Sequence, residues 1–335
     1  MPKPPLGVLA ALRAGFGVVN KRLELALFPL VLDLFLWLGP KLSIKPLVAS
    51  ALRALDGLAA YSTDPQVTQQ LDPVRAFFTD LGNQFNLFST LSTAPLGIPS
   101  LMAGRMPEAV PAGLPQPVWS VNGILFHLDL FLLFSLIGIL LGSVYFSCIA
   151  QQIRAKRLDL GQFLRQAGGD WIRLVAFAVL VALALILVLA PIWLVGGLIA
   201  AIFPWAGAIV FVLSLTLVMW GVFYLGFTVP AIVVQRRGLF GAVWDSLRVA
   251  QWSLSSTAGL YTLLFLISLL LTPLWNLVKP DSWVMLAALA GNALVSTALV
   301  AAAFVYYQDR YRWWGEMRAA IEASVNRRKA AENKL

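Results

Sequence analysis

The stretch at residues 174–235 decides the fold: LVAFAVLVALALILVLAPIWLVGGLIAAIFPWAGAIVFVLSLTLVMWGVFYLGFTVPAIVVQ, 62 residues without a charged side chain. As one helix it would be about 93 Å long at about 1.5 Å per residue, roughly three times the hydrocarbon core of about 30 Å. The run must therefore turn back on itself, and the Gly196-Gly197 pair and the Phe203-Pro204-Trp205 turn are the natural positions. It predicts two membrane-spanning helices, near 173–199 and 206–233.

Further uncharged runs of 24, 30 and 27 residues extend this pattern along the chain. They predict spans near 124–149, 256–277 and 283–307, the last two joined by the turn Lys279-Pro280-Asp281. A weaker span near 22–39 contains Asp33. We therefore expect an all-α, polytopic transmembrane bundle of about six spans, arranged as three hairpins with short interfacial amphipathic helices.

The composition agrees with this class. Apolar residues make up 59% of the chain and charged residues 12%, with a mean hydropathy of +0.80. Soluble domains are roughly 45–50% apolar and about 25% charged. Cys148 and His127 are the single cysteine and the single histidine, which excludes an intramolecular disulfide and a multi-histidine metal or haem site within one chain.

The lysine and arginine residues predict the orientation. With six spans, 19 of the 25 fall on the side of the two termini and of the loops 150–173 and 234–255. Cytoplasmic segments carry this excess, so we expect a multi-pass protein of the bacterial inner membrane with both termini cytoplasmic. The formal charge of +9 favours anionic lipid headgroups as partners. It does not favour nucleic acid, because the basic residues are dispersed along membrane-flanking segments.

The cytoplasmic flanks resemble one another and predict an internal repeat. Gly7 to Arg13, Gly161 to Arg165 and Gly241 to Arg248 each run from glycine through apolar residues to a Leu-Arg pair. Each precedes a predicted hairpin, and the first hairpin carries an insertion. These segments suit the membrane interface. Two interpretations stay open: elbows between spans, or a docking ring in which Arg13, Arg165 and Arg248 contact headgroups or a partner protein.

The chain divides into four predicted parts. Residues 1–42 hold the N-terminal interfacial segment and the first span, and residues 121–308 hold spans two to six. Between them, 43–120 form an extracytoplasmic insertion of two helices, at 47–61 and 67–88, and a proline-rich extended tail. Its few charges place it on the outer leaflet or on the bundle. Residues 309–335 are a cytoplasmic tail.

Asp33 is the most informative single residue, because it falls near the predicted bilayer centre. A carboxylate there costs about 2.5–3.5 kcal/mol on insertion scales, so it must face the bundle, a polar cavity or water, or be protonated. Either it is a proton- or cation-linked site, or it makes a structural hydrogen bond to a neighbouring helix. Asn292 is a second candidate for an intramembrane polar site. Predicted points of close approach between helices are Gly138, Gly142, Gly221 and Gly226.

The second half of the chain resembles a known family. The pattern comprises Pro230-Ala231-Ile232-Val233-Val234, Gly238, Ala242, Ser246-Leu247-Arg248 and the ending Tyr306-Tyr307 with Arg310. It is similar to the glycerophosphodiester phosphodiesterase membrane-domain-like family of bacterial integral membrane proteins. The resemblance covers about 158–312 and implies an architecture. It implies no activity, because the chain lacks the soluble phosphodiesterase domain.

No nucleotide-binding loop, zincin helix or nucleophile elbow occurs in the sequence. We therefore expect no catalytic, cofactor or metal site. The leading hypothesis is a non-enzymatic scaffold, accessory subunit or lipid-facing organiser. The alternative is a small transporter for an amphipathic solute, with Asp33 as its polar midplane site.

Overall fold

The computed structural model describes residues 4–59, 65–105, 110–111, 116–121, 123–155 and 160–332. These residues are almost entirely helical. The helices are α1 (Val8–Lys21), α2 (Leu27–Leu38), α3 (Lys45–Ala59), α4 (Pro65–Gln84), α5 (Ile124–Ala155), α6 (Leu160–Ile202), α7 (Pro204–Leu225), α8 (Thr228–Gln235), α9 (Leu239–Trp252), α10 (Leu254–Asn276) and α11 (Met285–Glu332). Two short strands, β1 (Lys41–Ser43) and β2 (Val118–Ser120), pair in parallel, and 3₁₀ turns occur at Leu23–Ala26 and Leu87–Leu91.

Five helical segments of the described chain are long and apolar enough to cross a membrane. They are Ile124–Arg154, Ala167–Ile202, Trp205–Gln235, Leu254–Asn276 and Met285–Asn326. The all-α, multi-pass class is therefore confirmed, with five such segments in the described chain where about six spans were expected. The predicted turn in the 62-residue run is also present, because α6 ends at Ile202 and α7 begins at Pro204.

The segment near 22–39 is shorter than expected. There α2 has 12 residues, about 18 Å of helix against a core of about 30 Å. It follows a 3₁₀ turn and ends before Gly39, whose backbone is extended with ψ −179°. Pro40 comes next, and a proline disfavours helical geometry in the residue before it.

The described chain forms two compact units. Unit 1 comprises residues 1–22, 146–268 and 298–335, and unit 2 comprises residues 23–145 and 269–297. Helices α5, α10 and α11 contribute residues to both. The predicted boundary at 308 does not coincide with a helix end, because α11 continues to Glu332.

In unit 1, aromatic side chains surround the break between α7 and α8. Phe227 stacks on Tyr261 at 5.2 Å and on Tyr306 at 5.7 Å between ring centroids. Ser246 of α9 bridges the break. Its Oγ donates to the Tyr224 carbonyl at 2.7 Å and accepts from the Phe227 N–H at 3.1 Å. The backbone groups freed by the break are thus satisfied away from water, as burial requires.

Helices α1 and α9 begin in the same way. Their N-caps, Gly7 and Gly238, have φ/ψ of −68°/162° and −64°/160°. Their buried positions also have one spacing, with Ala11, Gly15 and Val19 corresponding to Ala242, Ser246 and Ala250. This register pairs Gly7 with Gly238 and not with Gly241. The segment Gly161 to Arg165 differs, because it is the start of α6 and not a separate helix. The threefold repeat itself stays a prediction.

In unit 2, the insertion packs on itself and on α5. Helices α3 and α4 pair, with Gly82 against Val48. Asn86 ties β1 to the segment that follows, because its Oδ1 accepts from the N–H groups of Leu42 (2.9 Å) and Phe88 (3.2 Å). The residues after it, 87–105, are called here the 87–105 loop. They run along α5 and carry many buried side chains, including Leu87, Phe88, Ile98 and Met102.

Candidate functional site

Asp33 is fully buried on α2 and is bound by the 87–105 loop. Its Oδ1 accepts from the Ser100 hydroxyl at 2.5 Å and from the Met102 N–H at 2.9 Å. Its Oδ2 accepts from the Leu101 N–H at 3.1 Å. The Ser100 hydroxyl in turn accepts from the Ala103 N–H at 2.9 Å. The carboxylate therefore holds one tight turn of irregular backbone.

Arg105 supplies an opposite charge near this carboxylate. The Arg105 guanidinium and the Asp33 carboxylate attract each other electrostatically. Of the two interpretations of Asp33, the structural hydrogen bond is present. Its partner, however, is the 87–105 loop and not a neighbouring helix.

The 87–105 loop lies against two glycines in the middle of α5. A Cβ at Gly138 would meet the Thr93 hydroxyl and the Leu91 carbonyl oxygen at 2.2 and 2.6 Å. A Cβ at Gly142 would meet the Leu96 carbonyl oxygen at 2.3 Å. Both are points of close approach, as expected, but to loop backbone. At these two glycines the expected helix-to-helix contact is replaced by a contact with the loop. Of the other two glycines, Gly226 does meet a helix, at Tyr261 of α10, whereas a Cβ at Gly221 would meet nothing within 4 Å.

Asn292 is not part of the Asp33 site. It lies half-buried on α11 and is not among the described hydrogen-bond partners of Asp33, which all belong to the 87–105 loop. The two candidate polar residues are therefore separate features.

A second site lies in unit 1, where arginine side chains of α9 and α11 lie over tryptophan rings of the same two helices. The Arg248 guanidinium lies over the Trp244 ring at 5.1 Å and over the Trp314 ring at 5.5 Å. Arg318 lies over Trp314 at 5.6 Å. Trp252 packs edge-on against Trp314, with centroids 5.7 Å apart. We call Trp244, Arg248, Trp252, Trp314 and Arg318 the Arg–Trp ladder.

The Arg–Trp ladder borders a shallow groove that also contains Arg310. The Arg310 guanidinium donates to Ser256 Oγ at 2.7 Å and to the Leu6 carbonyl at 3.2 Å, and it lies over the Tyr306 ring at 4.9 Å. The groove's carboxylate, Asp245, accepts from Arg237 Nε at 3.0 Å. Within the described residues, neither Arg248 nor Arg310 has a carboxylate within ion-pair distance. The groove is therefore positively charged.

The other two predicted headgroup contacts belong to other helices. Arg13 is exposed on α1. Arg165 belongs to α6, but its side chain lies outside the part of the chain that the structure describes. Of the two arginines whose side chains are described, Arg248 is the one that lies over aromatic rings.

The sequence pattern missed a buried carboxylate in unit 1. Asp170 of α6 is 5% exposed, accepts from Ser147 Oγ at 3.2 Å and pairs with Arg173 at 3.3 Å. The signal available is the i,i+3 spacing of Asp170 and Arg173 at the start of a span, within residues that the charge pattern assigns to the loop 150–173. Nearby, Arg236 has a left-handed backbone with φ 55°, a conformation that non-glycine residues seldom adopt.

Comparisons of the chain with protein-family models, curated proteins and solved structures found no match.

Proposed function

We propose that this chain is a non-enzymatic, lipid-facing organiser of the bacterial inner membrane, with both termini cytoplasmic, and that its Arg–Trp ladder binds anionic lipid headgroups. Termini on the same side require an even number of spans, so in this proposal the segment at residues 22–39 crosses as a short sixth span beside the five long ones. The observation that carries the proposal is Arg248. Its guanidinium lies between two indole rings, and none of its N–H groups makes a hydrogen bond within the described chain. Membrane lipids are thus the expected partners.

The chemistry of Arg248 favours a phosphate. Guanidinium is planar, stays charged and presents paired N–H donors that match two phosphate oxygens. The indole faces of Trp244 and Trp314 fix the position of the Arg248 guanidinium but leave the N–H groups at its edge able to bind a phosphate. An arginine that is already paired with a carboxylate, such as Arg237 with Asp245, has fewer N–H donors left for a phosphate.

The surroundings favour an anionic lipid over a zwitterionic one. Exposed indoles could otherwise stack on the ammonium group of choline. Here the faces of Trp244 and Trp314 are occupied by arginine. Trp244 and Trp252 remain 56% and 66% exposed, which suits side chains at the membrane–water interface. The orientation rests on the lysine and arginine bias, which places this side in the cytoplasm.

Lipid binding can be measured in nanodiscs of phosphatidylcholine with increasing phosphatidylglycerol, by native mass spectrometry of the lipid that stays bound. One basic side chain near an anionic surface contributes about 1 kcal/mol, so Arg248→Gln should weaken binding about fivefold. Arg53→Gln is the control and should bind like the wild type, because the Arg53 guanidinium on α3 already donates to the Ala49 carbonyl and to the Ser50 hydroxyl. Equal binding by Arg248→Gln and the wild type would refute the proposal.

A scaffold function would require a protein partner as well. A pull-down in mild detergent should then return one reproducible membrane-complex partner whose recovery falls with Arg248→Gln. A monodisperse chain that retains lipid but no protein would leave lipid organisation as the function and exclude the scaffold.

The alternative, a small transporter, has one observation in its favour. Irregular backbone lies against the middle of α5, beside a buried carboxylate, and transporter binding sites often combine these features. In proteoliposomes with candidate amphipathic solutes and a pH-sensitive dye, Asp33→Asn should then abolish flux. Unchanged flux would remove Asp33 from any transport mechanism.

A further inference from the structure

We propose that the 87–105 loop is a re-entrant strap at the depth of the hydrocarbon core, and that Asp33 is the latch that keeps it there. The inference does not depend on headgroup binding. It assigns the loop a conformational function: while latched it covers the carboxylate, and when released it exposes α2 and the glycine face of α5.

The depth follows from the contacts with α5. Gly142, which touches the Leu96 carbonyl, lies roughly 27 Å along the helix from Ile124 at about 1.5 Å per residue. Gly138, which touches Leu91 and Thr93, lies about 21 Å along it. The 32 residues of α5 are about 48 Å long. A core of about 30 Å therefore leaves at most about 18 Å of this helix outside at the outer end, and both glycines lie deeper than that.

Irregular backbone at this depth needs hydrogen-bond partners from the protein, because lipid tails offer none. The loop supplies several itself. Ser92 Oγ donates to the Ile98 carbonyl at 2.7 Å, and Thr90 Oγ1 donates to the Leu87 carbonyl at 2.8 Å. The N–H groups of Leu101 and Met102 instead depend on Asp33. Asp33 thus takes the place of water at this turn.

A carboxylate suits this latch better than an amide. Asp33 accepts hydrogen bonds on both oxygens, from Ser100 and Met102 on one and from Leu101 on the other. In Asp33→Asn, one of these positions becomes an NH₂ group that faces another donor. The substitution keeps the volume of the side chain and removes one acceptor, so it tests the latch without leaving a cavity.

The test is thiol accessibility in nanodiscs, in a Cys148→Ala background. Met102→Cys places the reporter in the loop at a position that is 1% exposed, and Ile139→Cys places a second reporter on α5 at 4%. With a membrane-impermeant maleimide, Asp33→Asn should label at least tenfold faster at position 102 and no faster at position 139. Asp80→Asn, an exposed carboxylate on α4, is the matched control and should change neither rate. Ile98→Cys, at 2% exposed, replaces the first reporter if Met102→Cys does not fold.

Three outcomes would overturn the proposal. Labelling at position 102 that is unchanged by Asp33→Asn would show that Asp33 is not the latch. With Asp33 unchanged, labelling at position 102 that is as fast as labelling of Phe77→Cys, on an exposed face of α4, would show that the loop is at the surface. Faster labelling at both 102 and 139 would show that Asp33 holds the fold and not the strap.

Discussion

Gly15 on α1 offers a sharp test of how α1 packs in unit 1. A Cβ at this position would lie 2.5 Å from the Ala298 carbonyl oxygen and 2.5 Å from the Ala302 nitrogen on α11. At Gly17, on the same helix, nothing lies within 4 Å of the added atom. Carbon atoms in contact are normally about 3.5–4.0 Å apart, so in Gly15→Ala the helix α1 must move outward by about 1 Å.

The magnitude follows from comparing the two substitutions. Overpacking costs about 1–3 kcal/mol, and the upper end applies because backbone atoms of a long helix cannot yield as a side chain can. Replacing glycine by alanine inside a helix contributes about 1 kcal/mol of stability at either position. We therefore expect Gly15→Ala to be about 2 kcal/mol less stable than the wild type and Gly17→Ala about 1 kcal/mol more stable.

The assay is thermal unfolding of both variants in one detergent, followed by size-exclusion chromatography with tryptophan fluorescence. A difference of about 3 kcal/mol corresponds to a separation in Tm of about 6 °C at the lower end of the usual scaling. The helix-propensity contribution is common to both variants, so the separation reports the contact alone. Equal Tm values would refute the packing of α1 against Ala298 and Ala302.

Three other predictions concern the break, the strained residue and the topology. Ser246→Ala removes both hydrogen bonds that bridge α7 and α8 and should lower the free energy of unfolding by about 1–3 kcal/mol. Thr216→Ala, which removes an exposed hydroxyl of α7, is the control and should change it by less than about 0.5 kcal/mol. Equal losses of the two variants in urea unfolding would contradict the bridge. Arg236→Gly relieves a left-handed backbone at φ 55° and should raise the free energy of unfolding by about 1 kcal/mol, while Arg237→Gly, which loses its pair with Asp245, should not. A lower Tm for Arg236→Gly would show that the attraction between Arg236 and Asp170 outweighs the backbone strain. The topology can be tested in sealed vesicles that contain the Cys148→Ala protein. Thiols introduced by Asp80→Cys and Val325→Cys should be labelled from opposite sides of the membrane, and labelling of both from the same side would refute the proposed topology.

The spans were predictable because a run without charges is a local property of the chain. The turn between α6 and α7 follows from Pro204, which can begin a helix but not continue one. The short first helix was harder to foresee. Pro40 signals its end, but the 3₁₀ turn at Leu23–Ala26 carries no composition that distinguishes it from helix.

The Asp33 site shows where sequence reasoning stops. A buried carboxylate was predicted, and it is buried. Its partner Ser100 lies 67 residues away, and two of its three donors are backbone N–H groups, which every residue other than proline offers. The prolines that predict an irregular segment give no information on its depth. Likewise, Arg248 and the tryptophans were recognisable at an interface, but their stacking depends on how α9 meets α11.

The hairpin of α6 and α7 has a consequence for the choice of membrane. Its exposed side chains are apolar on nearly every face. The contacts that join its two helices include Gly196 against Val210, Gly207 against Ala200, and the hydrogen bond that Trp193 Nε1 donates to Ser214 Oγ at 3.1 Å. From Arg173 to Ile202, α6 offers roughly 44 Å of uncharged helix, more than a core of about 30 Å. Hydrophobic mismatch of this kind is relieved by tilting. Because the hairpin has few neighbours to move with it, a change in bilayer thickness should alter its tilt first, which makes it the part of the protein most responsive to lipid chain length.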